Sequence, residues 1–193
     1  MTSPRLAWST IASPAGELVA VRSPTGIARL GFADDDVDLL VREAVEETDL
    51  PASRDDRALG ALRREVDAYF AGRASTFSIP PDLTRIDGFV RRVLDAAREI
   101  PFGAVATYGE LATRAGSARA QRAAGSAMRR NPVLLLVPCH RVVPAGGSIG
   151  SYSGHEDRKA FLLDHEAAVV AASGRHRVGD RNRRLRRTTT SGR

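Results

Sequence analysis

Thr107-Tyr108-Gly109-Glu110-Leu111-Ala112-Thr113-Arg114-Ala115-Gly116, followed by Ser117-Ala118-Arg119-Ala120-Gln121-Arg122-Ala123-Ala124-Gly125-Ser126-Ala127-Met128-Arg129-Arg130-Asn131, reads as two helices joined by a tight turn. Thr107 with Glu110 three residues on is the signature of a capping box, in which two free backbone N–H groups are satisfied reciprocally. The helix it opens ends at Gly116. A second is expected from Ser117 or Ala118 to the stop at Asn131-Pro132. Two helices around a glycine-containing turn form a helix-turn-helix pattern.

The faces of the second helix differ in kind. Ala120, Ala123, Ala124, Ala127 and Met128 fall on one side and are expected to pack inward. Arg119, Arg122, Ser126 and Arg129 fall on the other, which is basic and contains no acid. Exposed arginines are ordinarily a solvated face. A face of one sign beside a helix-turn-helix instead favours contact with phosphates and a groove, which makes Arg119, Arg122 and Arg129 candidate DNA contacts.

Just downstream, Val133-Leu134-Leu135-Leu136-Val137 is a continuous apolar run between two prolines, expected as a buried strand or extended segment. It leads into Pro138-Cys139-His140-Arg141-Val142-Val143, which holds the only cysteine of 193 residues. A thiolate is the reactive form of cysteine, and a neighbouring base or cation raises its population. His140 is placed to be the base and Arg141 the cation. Against this stands the common fate of a free cysteine, a small buried hydrophobe. A last helix, about 156–168, carries Glu166 one turn from Leu162 and Leu163, near its buried edge. A carboxylate there needs a partner. His140 would complete a nucleophile, base and orienter; pairing with Arg158 or Lys159 at a wet rim is the alternative.

The N-terminal third reads as short strands at Trp8–Ile11, Leu18–Arg22 and Ile27–Phe32, separated by Ser-Pro turn signals. Helices are expected near 35–47 and 56–70, and a linker over 74–87. The organisation is mixed α/β (α+β): an N-terminal unit over 1–85, a helical unit over 86–169 carrying the cysteine, and a basic, disordered tail over 170–193. Residues 1–85 carry fourteen acids against ten bases, and residues 173–193 carry eight arginines against one aspartate. The net charge of +6 is therefore concentrated in the tail, where a solvated role without a specific partner is the plain reading.

A lone cysteine forms no internal disulfide, suits a reducing cytoplasm and excludes a cysteine-cluster zinc site. Four histidines are too scattered for a metal centre. No apolar run approaches a membrane span, and no leader for secretion is read at the N-terminus.

Over 88–166 the chain resembles the O6-alkylguanine-DNA alkyltransferases. The stretches Ile100-Pro101-Phe102-Gly103, Thr107 to Ala112, Asn131-Pro132, Val137 to Val143 and Gly150-Ser151-Tyr152-Ser153-Gly154, then Lys159, Leu162-Leu163 and Glu166, fall in that family's order and spacing. Residues 6–32 resemble its N-terminal domain more weakly. The resemblance implies a small ribonuclease-H-like sheet domain followed by a winged-helix-like helix-turn-helix domain. It implies that Cys139 accepts the alkyl group, that His140 draws off its proton through a water, and that Glu166 orients the imidazole. Asn131 would hold the turn before the cysteine. Tyr108 would crowd a phosphate and help rotate the nucleotide outward, and Arg122 would fill the gap in the stack. Tyr152, the backbone of Ser153 and the carbonyls of Cys139 and Val142 would hold the flipped base, with Met128 lining its pocket. The partner implied is double-stranded DNA with alkylated bases, met through the minor groove by a monomer, and no cofactor is implied.

The chain departs from the family pattern at His155, where a second glycine is usual, at Gln121 and at Arg130. A fused cysteine-rich zinc domain is absent. Two other functions compete: a DNA-binding sensor of alkylated bases, which would dispense with Cys139, and a cysteine hydrolase, which would release product with turnover.

Overall fold

A computed structural model describes residues 3–188. The three expected strands form, as β1 (Leu6–Ile11), β2 (Leu18–Arg22) and β3 (Ile27–Phe32). They run antiparallel in sequence, with Trp8 opposite Val21 and Ala20 opposite Leu30. A fourth strand, β4 (Ala52–Arg54), pairs in parallel with β1. No sequence signal marked it: three residues after Pro51 have no alternation, and pairing to β1 alone makes them a strand.

Between them lies α1 (Val37–Thr48), whose N-cap Asp36 accepts the Leu39 N–H at 3.0 Å. The next helix, α2 (Gly60–Phe70), starts four residues later than expected. Asp55 instead takes the N–H groups of Arg57 and Ala58, holding 56–59 as a turn.

The free edge of β3 is covered twice, as an edge strand must be to avoid pairing with another chain. Ile27 exchanges hydrogen bonds with Pro80 and Asp82, and Leu30 does so with Pro132 and Leu134. Gly26 permits the first approach, since a Cβ there would lie 2.3 Å from the Pro80 carbonyl oxygen. The second docks the segment before the cysteine onto the N-terminal sheet.

The C-terminal unit is helical: α3 (Gly88–Arg98), α4 (Tyr108–Arg114), α5 (Gln121–Arg129) and α6 (Glu156–Thr188). The Thr107–Glu110 capping box forms as read. A two-residue parallel pair, β5 (Ala106–Thr107) with β6 (Val142–Val143), ties the start of the helix-turn-helix to the cysteine segment. Apolar residues of both units merge into one buried core, from Leu18, Leu30 and Leu62 through Leu94 and Leu111 to Val137 and Leu162.

Four readings are corrected. The helix expected from Ser117 or Ala118 begins at Gln121, because 117–120 turn back on a Ser117–Ala120 hydrogen bond. Arg119 thus lies in the turn rather than on the helix, and Ala123 is exposed instead of packed. Residues 133–137, buried except for half-buried Leu134, are not a strand: after the bridge to Leu30 the chain turns at Leu135, which has φ 66°. The last helix continues to Thr188. It thereby runs past the expected end near 168 and through residues 170–188 of the basic tail. Residues 189–193 of that tail lie outside the described residues.

Candidate active site

Cys139, His140 and Arg141 form a single 3-10 turn between Pro138 and β6, and all three are buried. Asn131 holds the turn from both sides: its Oδ1 accepts the Val133 N–H at 3.1 Å, and its Nδ2 donates to the Val137 carbonyl at 2.8 Å. The same Nδ2 stands 3.0 Å from Cys139 Sγ. Burial pushes the thiol up, against the lowering pull of Asn131, the Tyr152 hydroxyl and the Lys159 ammonium. The thiol is therefore protonated at rest and needs a base.

That base is adjacent. His140 Nε2 lies 2.9 Å from Glu166 Oε1, and both side chains are at most 1% exposed. Burial holds the imidazole below its usual value despite the raising effect of Glu166. At neutral pH it is uncharged, and its partner assigns the proton to Nε2. Nδ1 is then a buried lone pair, and it has no hydrogen-bond partner among the described residues.

Glu166 is the hub. Arg141 grips it through Nε at 3.1 Å and Nη2 at 2.8 Å, the Tyr69 hydroxyl donates to Oε1 at 2.7 Å, and the Gly103 N–H donates to Oε2 at 2.8 Å. Burial alone would raise this carboxyl, but the hydrogen bonds from His140 and Arg141 outweigh it and hold the pKa at about 2. Gly103 has φ +78°, and a Cβ there would lie 2.6 Å from Val170 Cγ2, so only glycine brings this N–H to the carboxylate. Neither Arg158 nor Lys159 pairs with Glu166. Arg158 reaches Asp34 instead, and Lys159, fully buried, donates to the Val142 carbonyl at 2.7 Å.

The expectation that Arg141 is the cation beside the sulfur is corrected. Its guanidinium is committed to Glu166 and to the Ile100 carbonyl at 2.7 Å. Lys159 supplies the positive charge that favours the thiolate. Burial lowers the lysine, and the charges of Cys139 and Glu156 raise it back in part.

A cleft of about 1230 Å³ opens between the β3 edge and the helix-turn-helix, and Cys139, Asn131, Met128 and Tyr152 line it. Tyr152 is buried with its hydroxyl beside the sulfur, and that hydroxyl has no hydrogen-bond partner among the described residues. Burial and the neighbouring Cys139 raise this phenol well above its usual value, so it remains a proton donor. Ser153 follows with φ 56°, turning the loop backbone at the mouth. Tyr108, half-buried, and exposed Arg122 and Arg129 also border the cleft. Exposed Arg119 stands apart, in the preceding turn. The carbonyls of Val142 and Cys139 already accept from Lys159 Nζ and the Val142 N–H, leaving one lone pair each.

His155 also borders the cleft but is drawn to its other wall. Nε2 lies 2.7 Å from Asp35 Oδ1, and the ring meets Phe32 edge-on at 5.1 Å. Sequence reading missed this pair, and it missed Tyr69. Tyr69 sits at an apolar helical position, and its partner is 97 residues away, so nothing local marks the hydroxyl. The Pro101-Phe102-Gly103 break was visible, but not the use of its N–H.

Comparison with known proteins places this geometry in context. Residues 6–83 match the family model described as the 6-O-methylguanine DNA methyltransferase ribonuclease-like domain. Residues 88–168 match the one described as the DNA binding domain of the same methyltransferase. A methylated-DNA–protein-cysteine methyltransferase of Mycolicibacterium paratuberculosis is 39% identical over 161 residues, covering 81% of this chain and 96% of the relative. A constitutive one from Bacillus subtilis is 34% identical, covering 82% and 94%. The crystal structure of the Mycobacterium tuberculosis O6-methylguanine methyltransferase superposes with a TM-score of 0.71 at 32% identity, covering 84% and 93%. That of Mycobacterium tuberculosis OGT in complex with DNA gives 0.67 at 31%, covering 84% and 94%.

Proposed function

The chain belongs to the 6-O-methylguanine DNA methyltransferase family, and from that premise we propose that Cys139 is its alkyl acceptor, with His140, Glu166, Asn131 and Tyr108 completing the machinery. Its reaction is direct-reversal DNA repair, in which an alkyl group leaves O6 of guanine for a protein cysteine. One observation carries the assignment. The only thiol of the chain lies in the wall of a cleft bordered by the helix-turn-helix, next to a buried base with an unpartnered nitrogen.

A water bound between Sγ and Nδ1 passes the thiol proton to His140, and Glu166 balances the imidazolium. The thiolate, held by the Asn131 amide and faced by Lys159, attacks the alkyl carbon. An S–C bond forms as the C–O6 bond breaks, and the electron pair leaves with guanine. Tyr152 donates a hydrogen bond to the departing base, which takes up the proton that His140 collected. A thioether is not hydrolysed by water, so each molecule acts once.

O6 lies within the duplex, and the base must leave the stack at a cost of a few kcal/mol. Arg122 on α5 is placed to fill the vacated position, and Tyr108 to press on the phosphate. Arg129 and Arg119 supply backbone contacts from the helix and its preceding turn. Met128, Val142 and Ser153 frame the pocket. The substrate is duplex DNA carrying O6-alkylguanine, and O4-alkylthymine presents a similar edge. The protein works through the minor groove as a monomer, and a thiol that must stay reduced suits the cytoplasm. Among the described residues no helix is long and apolar enough to cross a membrane.

The test is stoichiometry. Duplex bearing O6-[methyl-³H]methylguanine should transfer one label per protein and leave unmodified guanine, and a second portion of duplex should stay unreacted. Release of label as methanol, or more than one turnover, would establish a hydrolase instead.

A further inference from the structure

We infer that Tyr69, on α2 of the N-terminal domain, is a positioning residue for alkyl transfer, its hydroxyl sharing Glu166 Oε1 with His140 and so fixing the orientation and basicity of the imidazole. The inference rests on the reading of Cys139, His140 and Glu166 given above.

Three residues converge on this one oxygen: Tyr69 through its hydroxyl at 2.7 Å, His140 through Nε2 at 2.9 Å, and Arg141 through Nη2 at 2.8 Å and Nε at 3.1 Å. Oε2 takes the Gly103 N–H and Arg141 Nε. The carboxylate is thereby clamped in one rotation, and the imidazole is aimed by the oxygen it donates to. Tyr69 is 1% exposed. Burial, then the charge of Glu166, raises its phenol, so it donates at every pH at which the protein works.

The ring alone does not explain a tyrosine here. It packs among Phe70, Phe77, Phe102 and His165 at centroid distances of 5.0 to 5.6 Å. Phenylalanine would satisfy all four contacts. A buried hydroxyl costs stability unless it is bonded, and this one is spent on the carboxylate that holds the base.

The charged and titratable groups facing the His140–Glu166 pair are Arg141 on the 3-10 turn, Lys159 on α6, Cys139 beside it and Tyr69 on α2. Among these only Tyr69 comes from the N-terminal domain. It draws carboxylate charge away from His140. Without it more charge faces the imidazole, imidazolium is favoured, and the carboxylate is freer to rotate.

The experiment is Tyr69→Phe, read by the His140 Cε1–H titration in NMR and by single-turnover methyl transfer. The titration midpoint should rise above that of the unsubstituted protein, and the transfer rate should fall about tenfold, the scale of one charge-assisted hydrogen bond. One methyl per protein should still reach Cys139. An unchanged midpoint overturns the inference whatever the rate does, because packing alone would then explain the residue. Should the variant not fold, 3-fluorotyrosine at position 69, a stronger donor of the same shape, should lower the midpoint; no movement there overturns it equally. Failure of the unsubstituted protein to methylate Cys139 would instead remove the underlying assignment.

Discussion

The Asn131 amide nitrogen stands 3.0 Å from Cys139 Sγ while also donating to the Val137 carbonyl at 2.8 Å. One side chain therefore closes the turn that presents the thiol and supplies a hydrogen bond that favours its ionised form. Shaping and tuning are inseparable at this position, and the consequences of altering it are definite.

Asn131→Ala should shift the pH–rate profile of methyl transfer to higher pH, since the sulfur loses a donor while the burial that raises its pKa stays. The rate at neutral pH should fall roughly tenfold. Stability should fall by about 1–3 kcal/mol as the Val133 N–H and Val137 carbonyl lose their partner. A profile that does not move, measured by quenched-flow transfer between pH 5 and 9, would remove Asn131 from thiol activation.

Acid sensitivity follows from the buried pair. His140 is held below its unfolded value of 6.5 and Glu166 at about 2 against 4.5. For both, the unfolded chain binds more protons across the intervening pH. The stability these groups confer is complete above about pH 6.5 and is lost as pH falls toward 2. Glu166 alone accounts for ~3 kcal/mol. Urea titrations at stepped pH should show the decline, and Glu166→Gln should flatten its lower part. That variant should also cost ~3–5 kcal/mol at pH 7, since Arg141 is left buried without its counter-charge.

Arg122→Ala should slow repair of duplex DNA by at least tenfold while leaving reaction with free O6-methylguanine base nearly unchanged. The arginine is exposed at the cleft border, on the helix-turn-helix. Equal losses on both substrates would assign it to the chemistry instead of to holding the stack open.

The link of His155 to Asp35 fastens the loop that carries Tyr152 to the N-terminal domain. His155→Gly removes the ring from the cleft wall. Transfer from O6-benzylguanine should gain roughly tenfold relative to O6-methylguanine, the scale of a relieved pocket contact. Parallel rate changes for the two bases would show that the ring does not limit alkyl size.

Local patterns were legible where they close on themselves. The Thr107–Glu110 box and the strands between Ser-Pro turns each depend on a short motif, whereas the pairing of His140 with Glu166, 26 residues on, was legible only as one of two alternatives for a carboxylate near a buried helix edge. What escaped depends on distant chain. β4 exists because β1 lies beside it, and 133–137 turn because Asn131 staples both ends. Arg141 faces away from the sulfur because Glu166, 25 residues on, satisfies it better. Lys159 and Tyr69 were hidden for the same reason: a buried amphipathic side chain on an apolar helix face shows its periodicity, not its partner.

The most direct measurement is the intact mass of the protein after reaction with duplex containing O6-methylguanine, followed by peptide mapping. The account predicts a gain of about one methylene per molecule, located on Cys139, and no gain in Cys139→Ser. Folded, DNA-binding protein that repairs the duplex with Cys139 unmodified would contradict it.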